Sequence, residues 1–326
     1  MGDHTDYTGG LVLPMAIAWS TTVRIERGGP VLRLASSVEP EPAVVDVRRP
    51  ATPSEAQPPW ARYVAGVVAV VRPRRGGVGT VGTQIPVGAG LSSSAALEVA
   101  LALALGFRGT PVEVAAACQR AEHLASGVPS GIMDQLVSAG AVEGHALLID
   151  CTSLDVEAVP MPAGVDVVVL DSGQRRALVS SPYAERRRQC EAAARILGPL
   201  PLATEDAVAA IDDGVLRRRA RHVVTENARV RAFAAALRAG DLRTAGALML
   251  ESHASLRDDF EVSTPALDDL VAVVRDQPGV FGARLTGAGF GGCVVALAEP
   301  GAGLGMPGWR FRPAGGATVS TGTETD

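Results

Sequence analysis

The sequence predicts an α+β fold in two domains, and three observations carry that reading. Stretches of strand and helix character are interspersed without regular strand–helix–strand alternation, which argues against a doubly wound parallel sheet. The 326 residues are enough for two domains with their own cores. Hydrophobic residues make up 47% of the chain and aromatics only 4%, the composition of a folded chain packed with small side chains.

Taken in order, residues 11–18, 21–25 and 31–35 read as strands. Residues 39–59 are rich in Pro, Glu and Ala and are expected to loop over the surface. A helix with one apolar side is predicted over 60–71, a strand over 76–85 and an apolar helix over 95–105. Pro111 suits a first helical turn, so a helix is expected from there to about Ala125. Strands follow at 146–150 and at 165–171, where V-D-V-V-V-L-D is strongly β-branched. Residues 183–274 read as mostly helical, with breaks near 198–204, 240 and 263–265. A glycine-rich turn enters a strand over 282–297, and a polar tail runs on from Ala314. There is no internal repeat.

Charge and cysteine usage exclude several classes of function. The net charge is −5, lysine is absent, and no basic patch is interleaved with aromatics. Arg217-Arg-Arg-Ala-Arg221 and Arg186-Arg-Arg188 read as solvated helix faces, so nucleic-acid binding is not expected. Cys118, Cys151, Cys190 and Cys293 are widely spaced, as in a reduced protein, and the five histidines lack zinc-site spacing. No apolar run is long enough to span a membrane, and no charged leader precedes a signal-type core. Met1-Gly2 starts like a myristoylation site, but Asp6 stands where serine or threonine is required. A cytoplasmic protein is expected; the oligomeric state is left open.

Four segments carry chemistry. In Val87-Gly-Ala-Gly-Leu-Ser-Ser-Ser-Ala-Ala-Leu97, two glycines and three serines precede an apolar helix. Unpaired N–H groups and the helix dipole make such a turn a phosphate cradle, and a serine hydroxyl suits magnesium. It lacks the lysine of a P-loop, and a turn that only caps a buried helix reads equally well. In Glu122-His-Leu-Ala-Ser-Gly-Val-Pro-Ser-Gly-Ile-Met-Asp134-Gln135, two carboxylates flank a turn and offer one metal ligand and one base, although Asp at a helix start also serves as a plain cap. Arg284-Leu-Thr-Gly-Ala-Gly-Phe-Gly-Gly-Cys293 implies close backbone approach to a ligand or to another loop. Finally, Asp3, His4 and Asp6 crowd polar groups before an apolar strand, a set suited to a polyol's hydroxyls or to an exposed terminus.

Together and in this order, the four segments resemble the GHMP small-molecule kinases, and within them the galactokinase family. P-V-G-A-G-L-S-S-S-A-A-L-E-V-A is similar to the family's phosphate-binding motif and S-G-I-M-D-Q to the segment that carries its catalytic aspartate. G-D-H-T-D-Y-T-G-G and S-S-P-Y-A-E-R-R-R-Q-C resemble segments specific to galactokinases. The resemblance implies an ATP- and Mg2+-dependent kinase that phosphorylates D-galactose at its anomeric hydroxyl, with the active site in a cleft between an N-terminal domain (1–154) and a C-terminal domain (155–326).

It implies Asp134 as the base. Ser94 and Glu122 would hold magnesium, and Gly88, Gly90, Ser92, Ser93 and Ser94 would cradle phosphates. Trp60 would approach the adenine, and Gly287, Gly289 and Gly291 would line the floor near both substrates. Asp3, His4, Asp6, Gly131 and Tyr183 would grip the sugar.

Two departures from the family pattern qualify this. The family carries a strand A-P-G-R-V-N-L-I before its G-E-H motif, with an arginine that pairs with the catalytic aspartate, whereas this sequence opens directly on the motif. The expectation is a start roughly 20–35 residues further upstream, the length of a leader loop and one strand. Asp3 also replaces the family's glutamate. Two alternatives follow: a kinase for another sugar, or a catalytically impaired sugar sensor.

Overall fold

Pro14 cuts short the first strand. It has no N–H to donate to a ladder, and in the computed structural model, which describes residues 1–174 and 181–320, the pairing stops after two residues. The strands are β1 (Leu11–Val12), β2 (Thr21–Arg27), β3 (Val31–Ser36), β4 (Ala43–Asp46), β5 (Gly77–Thr83), β6 (His145–Asp150), β7 (Val156–Pro160), β8 (Asp166–Asp171), β9 (Val280–Thr286), β10 (Cys293–Ala298) and β11 (Trp309–Phe311). The helices are α1 (Ala61–Val71), α2 (Ser93–Ala104), α3 (Pro111–Ser126), α4 (Met133–Gly140), α5 (Ser181–Leu197), α6 (Glu205–Ala209), α7 (Gly214–Ala239), α8 (Leu242–Asp258) and α9 (Pro265–Arg275). The α+β reading holds: the strands pair mainly antiparallel, with β3 and β5 the parallel exception.

The chain forms two compact units. One comprises Met1–Ala18, Pro86–Leu91 and Val142–Ala314; the other comprises Trp19–Ile85, Ser92–Ala141 and Gly315–Asp326. The start of the chain joins the first unit through backbone hydrogen bonds. β1 pairs with β6, with Leu11 opposite Asp150, and Leu11 N–H donates to Asn227 Oδ1 on α7 at 2.6 Å. The first residues of the chain are therefore built into its second half.

In the first unit, β1-β6-β7 form one sheet and β11-β8-β10-β9 another. The V-V-V run of β8 is buried along most of its length because both its faces are covered. Val168 and Leu170 pack with Leu256, Phe260, Leu285 and Val294, while Val167 packs with Val230, Phe233 and Leu297. Such a strand reads as a continuous apolar run rather than an alternating one. On α7, the stripe Val223, Glu226, Asn227 and Val230 is buried. That i, i+3, i+4, i+7 spacing marks a core-facing side, yet two of its four members are polar.

In the second unit the sheet order is β2-β5-β3-β4. Leu32 and Leu34 alternate inward from β3 and pack with Val64, Val68 and Leu101. Full burial of each such side chain contributes about 1.5–3 kcal/mol. α1 lies against α3 at Gly66, where a Cβ would collide with the Ala121 carbonyl oxygen. Only glycine permits that approach.

Four strands escaped the sequence reading: β4 lies inside the expected 39–59 loop, β9 precedes the glycine-rich turn that was expected to lead into a single strand, and β7 and β11 are the others. β4, β7 and β11 are short and pair along one edge only. Short edge strands need little sequence signal because one face and one edge meet solvent.

Candidate active site

The residues singled out from sequence fall into two groups, one in each compact unit. In the first unit, residues 1–10 form a tight, hydrogen-bonded turn. Thr5 O accepts Gly10 N–H at 2.8 Å and Thr8 N–H at 3.1 Å. Asp3 and His4 are both buried, at 6% and 4% exposure. The Asp3 carboxylate is ion-paired with Arg284 through Oδ2 and accepts Gly287 N–H on Oδ1 at 2.6 Å. Burial alone would raise its pKa, but the Arg284 guanidinium holds it below the ordinary carboxylate value.

His4 adopts a left-handed backbone, with φ of 67°. Its Nε2 lies 3.1 Å from Ala288 O, and its Nδ1 lies 3.0 Å from the Tyr7 hydroxyl. A carbonyl only accepts, so the neutral ring carries its proton on Nε2 and takes the Tyr7 O–H on Nδ1. Aromatic rings fix this imidazole: Phe260 lies 4.8 Å and Tyr183 5.5 Å from it, centroid to centroid. Tyr183 stands in the first turn of α5, and Tyr7 meets it edge-on at 5.3 Å. Burial, with Cys190, Tyr183 and Asp6 nearby, pushes the Tyr7 phenol well above its ordinary pKa and keeps it a neutral donor. Asp6 opens a 3-10 turn, Asp6–Thr8, and is partly exposed.

The glycine-rich segment after β9 turns back into β10 through a run of positive φ: 77° at Gly287, 72° at Gly289 and 122° at Gly291. At Gly289 a Cβ would strike the Val262 carbonyl oxygen, and Phe290 N–H donates to that same oxygen at 2.7 Å. Gly88 and Gly90 also have positive φ and lie partly exposed in this unit.

In the second unit the group centres on Glu122, at the C-terminal end of α3. Its Oε1 accepts the Ser94 hydroxyl at 2.9 Å. Its Oε2 accepts the Ser130 hydroxyl at 3.0 Å and Gln135 Nε2 at 2.6 Å. The buried Gln135 also reaches Glu98 Oε2 at 3.2 Å. Burial, aided by the neighbouring Glu122 carboxylate, pushes the Glu98 carboxyl well above its ordinary pKa. Asp134 stands in the first turn of α4, next to Gln135 and partly buried, and Gly131 is buried just before it.

Ser92 precedes α2 in a left-handed conformation, φ 58° and ψ 41°, and does not cap the helix with its side chain. Ser93 and Ser94 begin the helix, both partly buried. Trp60 is different. It is 8% exposed in the core beside Ala61 and Val64, and its indole N–H donates to Glu41 O at 2.9 Å. The ring packs with the core of this unit.

The Ser94–Glu122 pair supplies a hydroxyl and a carboxylate side by side, the hard oxygen donors that Mg2+ requires. Among the described residues no cluster of three or more His, Cys, Asp or Glu side chains forms a metal cage. A two-ligand oxygen site suits an ion that retains water and binds substrate phosphates. Among the described residues, no helix is long and apolar enough to cross a membrane.

Sequence reasoning missed Glu226 and Phe260, and quoted Arg284, Gln135 and Tyr7 only as parts of motifs. Glu226 carried a usable signal: a charge on the apolar stripe of α7 is a candidate for a buried ion pair.

Residues 62–140 match the GHMP kinases N terminal domain, and 233–303 match GHMP kinases C terminal. Residues 1–27 match the galactokinase galactose-binding signature. Fold and motifs thus define a GHMP small-molecule kinase. The chain is 46% identical over 319 residues to galactokinases of Homo sapiens and Bos taurus, covering 92% of this chain and 81% of each relative. It also superposes on Lactococcus lactis galactokinase, solved with galactose, with a TM-score of 0.88 at 31% identity, covering 98% of this chain and 92% of that one. The chain belongs to the galactokinase family.

Proposed function

We propose that the protein transfers the γ-phosphoryl group of ATP to the anomeric hydroxyl of D-galactose, giving α-D-galactose 1-phosphate and ADP. The observation that carries this is the galactose-binding signature over residues 1–27 in a chain 46% identical to galactokinases across 92% of its length. In this reading the Asp134 carboxylate takes the proton from the anomeric hydroxyl as its oxygen attacks the γ-phosphorus, and the bond from phosphorus to the β–γ bridging oxygen breaks. His4, Asp6, Gly131 and Tyr183 bind the sugar, and Asp3 stands beside His4 in the N-terminal motif. The first-turn amides of α2, with Gly88, Gly90, Ser92 and Ser93, cradle phosphates, and Gly287, Gly289 and Gly291 line the floor.

Ser94 and Glu122 would hold Mg2+, which when bound neutralises the charge of the ATP phosphates. Gln135 and Ser130 both donate to Oε2 of Glu122 and so fix its orientation. Phosphoryl transfer depends mainly on positioning and charge stabilisation, for which this hydrogen-bonded set is suited. A thiol at all four cysteines supports a reducing compartment, the cytoplasm.

The test is ADP release with a panel of free sugars, the product identified by phosphorus NMR. Galactose-dependent turnover yielding the 1-phosphate is expected. Turnover with a different sugar alone would move the specificity, and sugar binding without turnover would make the protein a sensor.

A further inference from the structure

Behind the N-terminal motif lies a chain of buried charges with no assigned part in phosphoryl transfer. Glu226 on α7 is fully buried and Arg284 on β9 is 1% exposed. Glu226 Oε1 accepts Gly2 N–H at 3.0 Å and the Ser252 hydroxyl at 2.7 Å, and Oε2 accepts Arg229 Nε at 2.8 Å. Arg284 Nη1 stands 3.7 Å from Glu226 Oε1, while Nη2 donates to Asp3. The other Asp3 oxygen holds the Gly287 amide at 2.6 Å. One residue on, His4 reaches Ala288 O at 3.1 Å. Two adjacent side chains of the N-terminal motif are thus fastened to two adjacent backbone groups of the glycine-rich turn.

A buried ion pair is a poor way to gain stability, because desolvation offsets most of the Coulombic attraction and a well-packed apolar substitute is often equal or better. What such a pair supplies is a fixed geometry, provided its members are mutually satisfied. The chain Glu226, Arg284, Asp3 and Gly287 runs from a helix through a strand to the turn.

We propose that Arg284 and Glu226 are positioning residues that hold Asp3 as a brace between the sugar motif and the glycine-rich turn, so that Asp3 orients Gly287 and His4 and is not itself a sugar-hydroxyl acceptor. This rests on the galactokinase reading for its kinetic test. Asp3→Asn keeps the shape but turns an N–H2 group toward the Arg284 donors. Arg284→Met keeps the length and removes the charge, and Arg284→Lys keeps the charge.

The decisive experiment measures kcat/KM at 25 °C for galactose and for each monodeoxygalactose with the wild type and these variants. Far- and near-UV circular dichroism confirms that each variant is folded. Asp3→Asn and Arg284→Met are each expected to lower kcat/KM for galactose by about 10- to 100-fold, the scale of one lost charge-assisted hydrogen bond of roughly 1.5–3 kcal/mol. The factor should be the same for every deoxy sugar, Arg284→Lys should recover part of it, and the double variant should be no worse than the worse single one. A residue that only stabilised the fold would leave these ratios unmoved in folded protein. If the Asp3→Asn penalty vanished for one particular deoxy sugar, Asp3 would be the direct partner of that hydroxyl and the brace would be refuted. Additive losses in the double variant would refute it equally.

Hydrogen exchange separates this result from failure of the galactokinase reading, since it needs no activity. In Asp3→Asn and Arg284→Met, the peptide covering residues 284–292 should exchange at least tenfold faster than in the wild type. Unchanged exchange there would overturn the brace even in an active enzyme. A wild type inactive on galactose, but with the expected exchange, would overturn only the kinase reading.

Discussion

The N-terminal motif and the serine loop are both polar segments ahead of apolar ones, yet the fold treats them oppositely. Around Asp3 and His4 the polar atoms are matched with protein partners: Arg284, Gly287 N–H, the Tyr7 hydroxyl and Ala288 O. At the start of α2 the arrangement is open. Ser92 occupies a left-handed conformation and leaves the helix without a side-chain cap, whereas α3, α7, α8 and α9 are capped by Thr110, Asp213, Asp241 and Thr264. The difference suits two kinds of ligand. A neutral sugar offers weak, directional hydroxyls and needs a surface fixed in advance, whereas a polyphosphate brings charge enough to complete an uncapped helix end itself.

The comparison can be broken most directly at the reacting end. Asp134→Asn removes the base and keeps the shape, so kcat should fall about 10²- to 10⁴-fold while ATP affinity, read by calorimetry, stays near wild type. Turnover at the wild-type rate would eliminate Asp134 as the base.

The next largest effect belongs to the closed region. Glu226→Ala leaves the buried Arg284 with Asp3 alone and removes the carboxylate of the partly buried Arg229, a loss of about 3–5 kcal/mol of stability, measurable by urea unfolding. A loss below 1 kcal/mol would show that the charges of this region are not mutually supporting.

Acid should also reveal it, in two stages. Burial lowers the pKa of His253 from the ordinary 6.5 to about 4, with Asp268 opposing in part. A group whose folded pKa is depressed stabilises the fold above its unfolded value, so stability should decline as pH falls from 6.5 toward 4. For Glu226, burial alone would raise the pKa, but Arg284, His222 and Arg229 hold it at about 2 rather than 4.5. A second decline should therefore run from pH 4.5 toward 2. Burial also lowers the pKa of His222, so His253→Asn should make the first stage shallower without abolishing it and leave the second; an unchanged profile would remove His253 from the first stage.

Smaller effects sharpen the contrast. Tyr183→Phe should raise the KM for galactose by about two- to tenfold, the value of a single hydrogen bond, and leave that for ATP near wild type. An unchanged galactose KM would remove the Tyr183 hydroxyl from the sugar's contacts. Ser92→Gly relieves a left-handed backbone, so stability should rise by up to about 1 kcal/mol. A loss of stability instead would mean that the Ser92 side chain, not its backbone, maintains the open turn.

Much of this was legible in the sequence because the signals were local. Pro111 at a helix start, the β-branched run of β8 and the glycine-rich turn after β9 are each decided within a few residues. The pairing of Ser94 with Glu122 was legible only through resemblance, since 28 residues separate them. The Asp3–Arg284 pair spans 281 positions, and nothing near either residue announces the other. At Trp60 the resemblance implies a place near the adenine, while the ring's surroundings are those of a core side chain. Local pattern specifies elements, but partners far apart in the chain emerge only when the sheets form.

The placing of residues 1–18 in the same compact unit as residues 142–314 has a consequence for synthesis on the ribosome. Strand β1 is made early but its partner β6 begins only at His145, and at about 5–20 residues per second that partner follows on the order of ten seconds later. Throughout that interval the sugar motif has neither Arg284 nor the glycine-rich turn to hold it. This segment, translated well before its partners, is among the last to be completed, so a chaperone that shelters Leu11 and Val12 during translation should raise the yield of native protein.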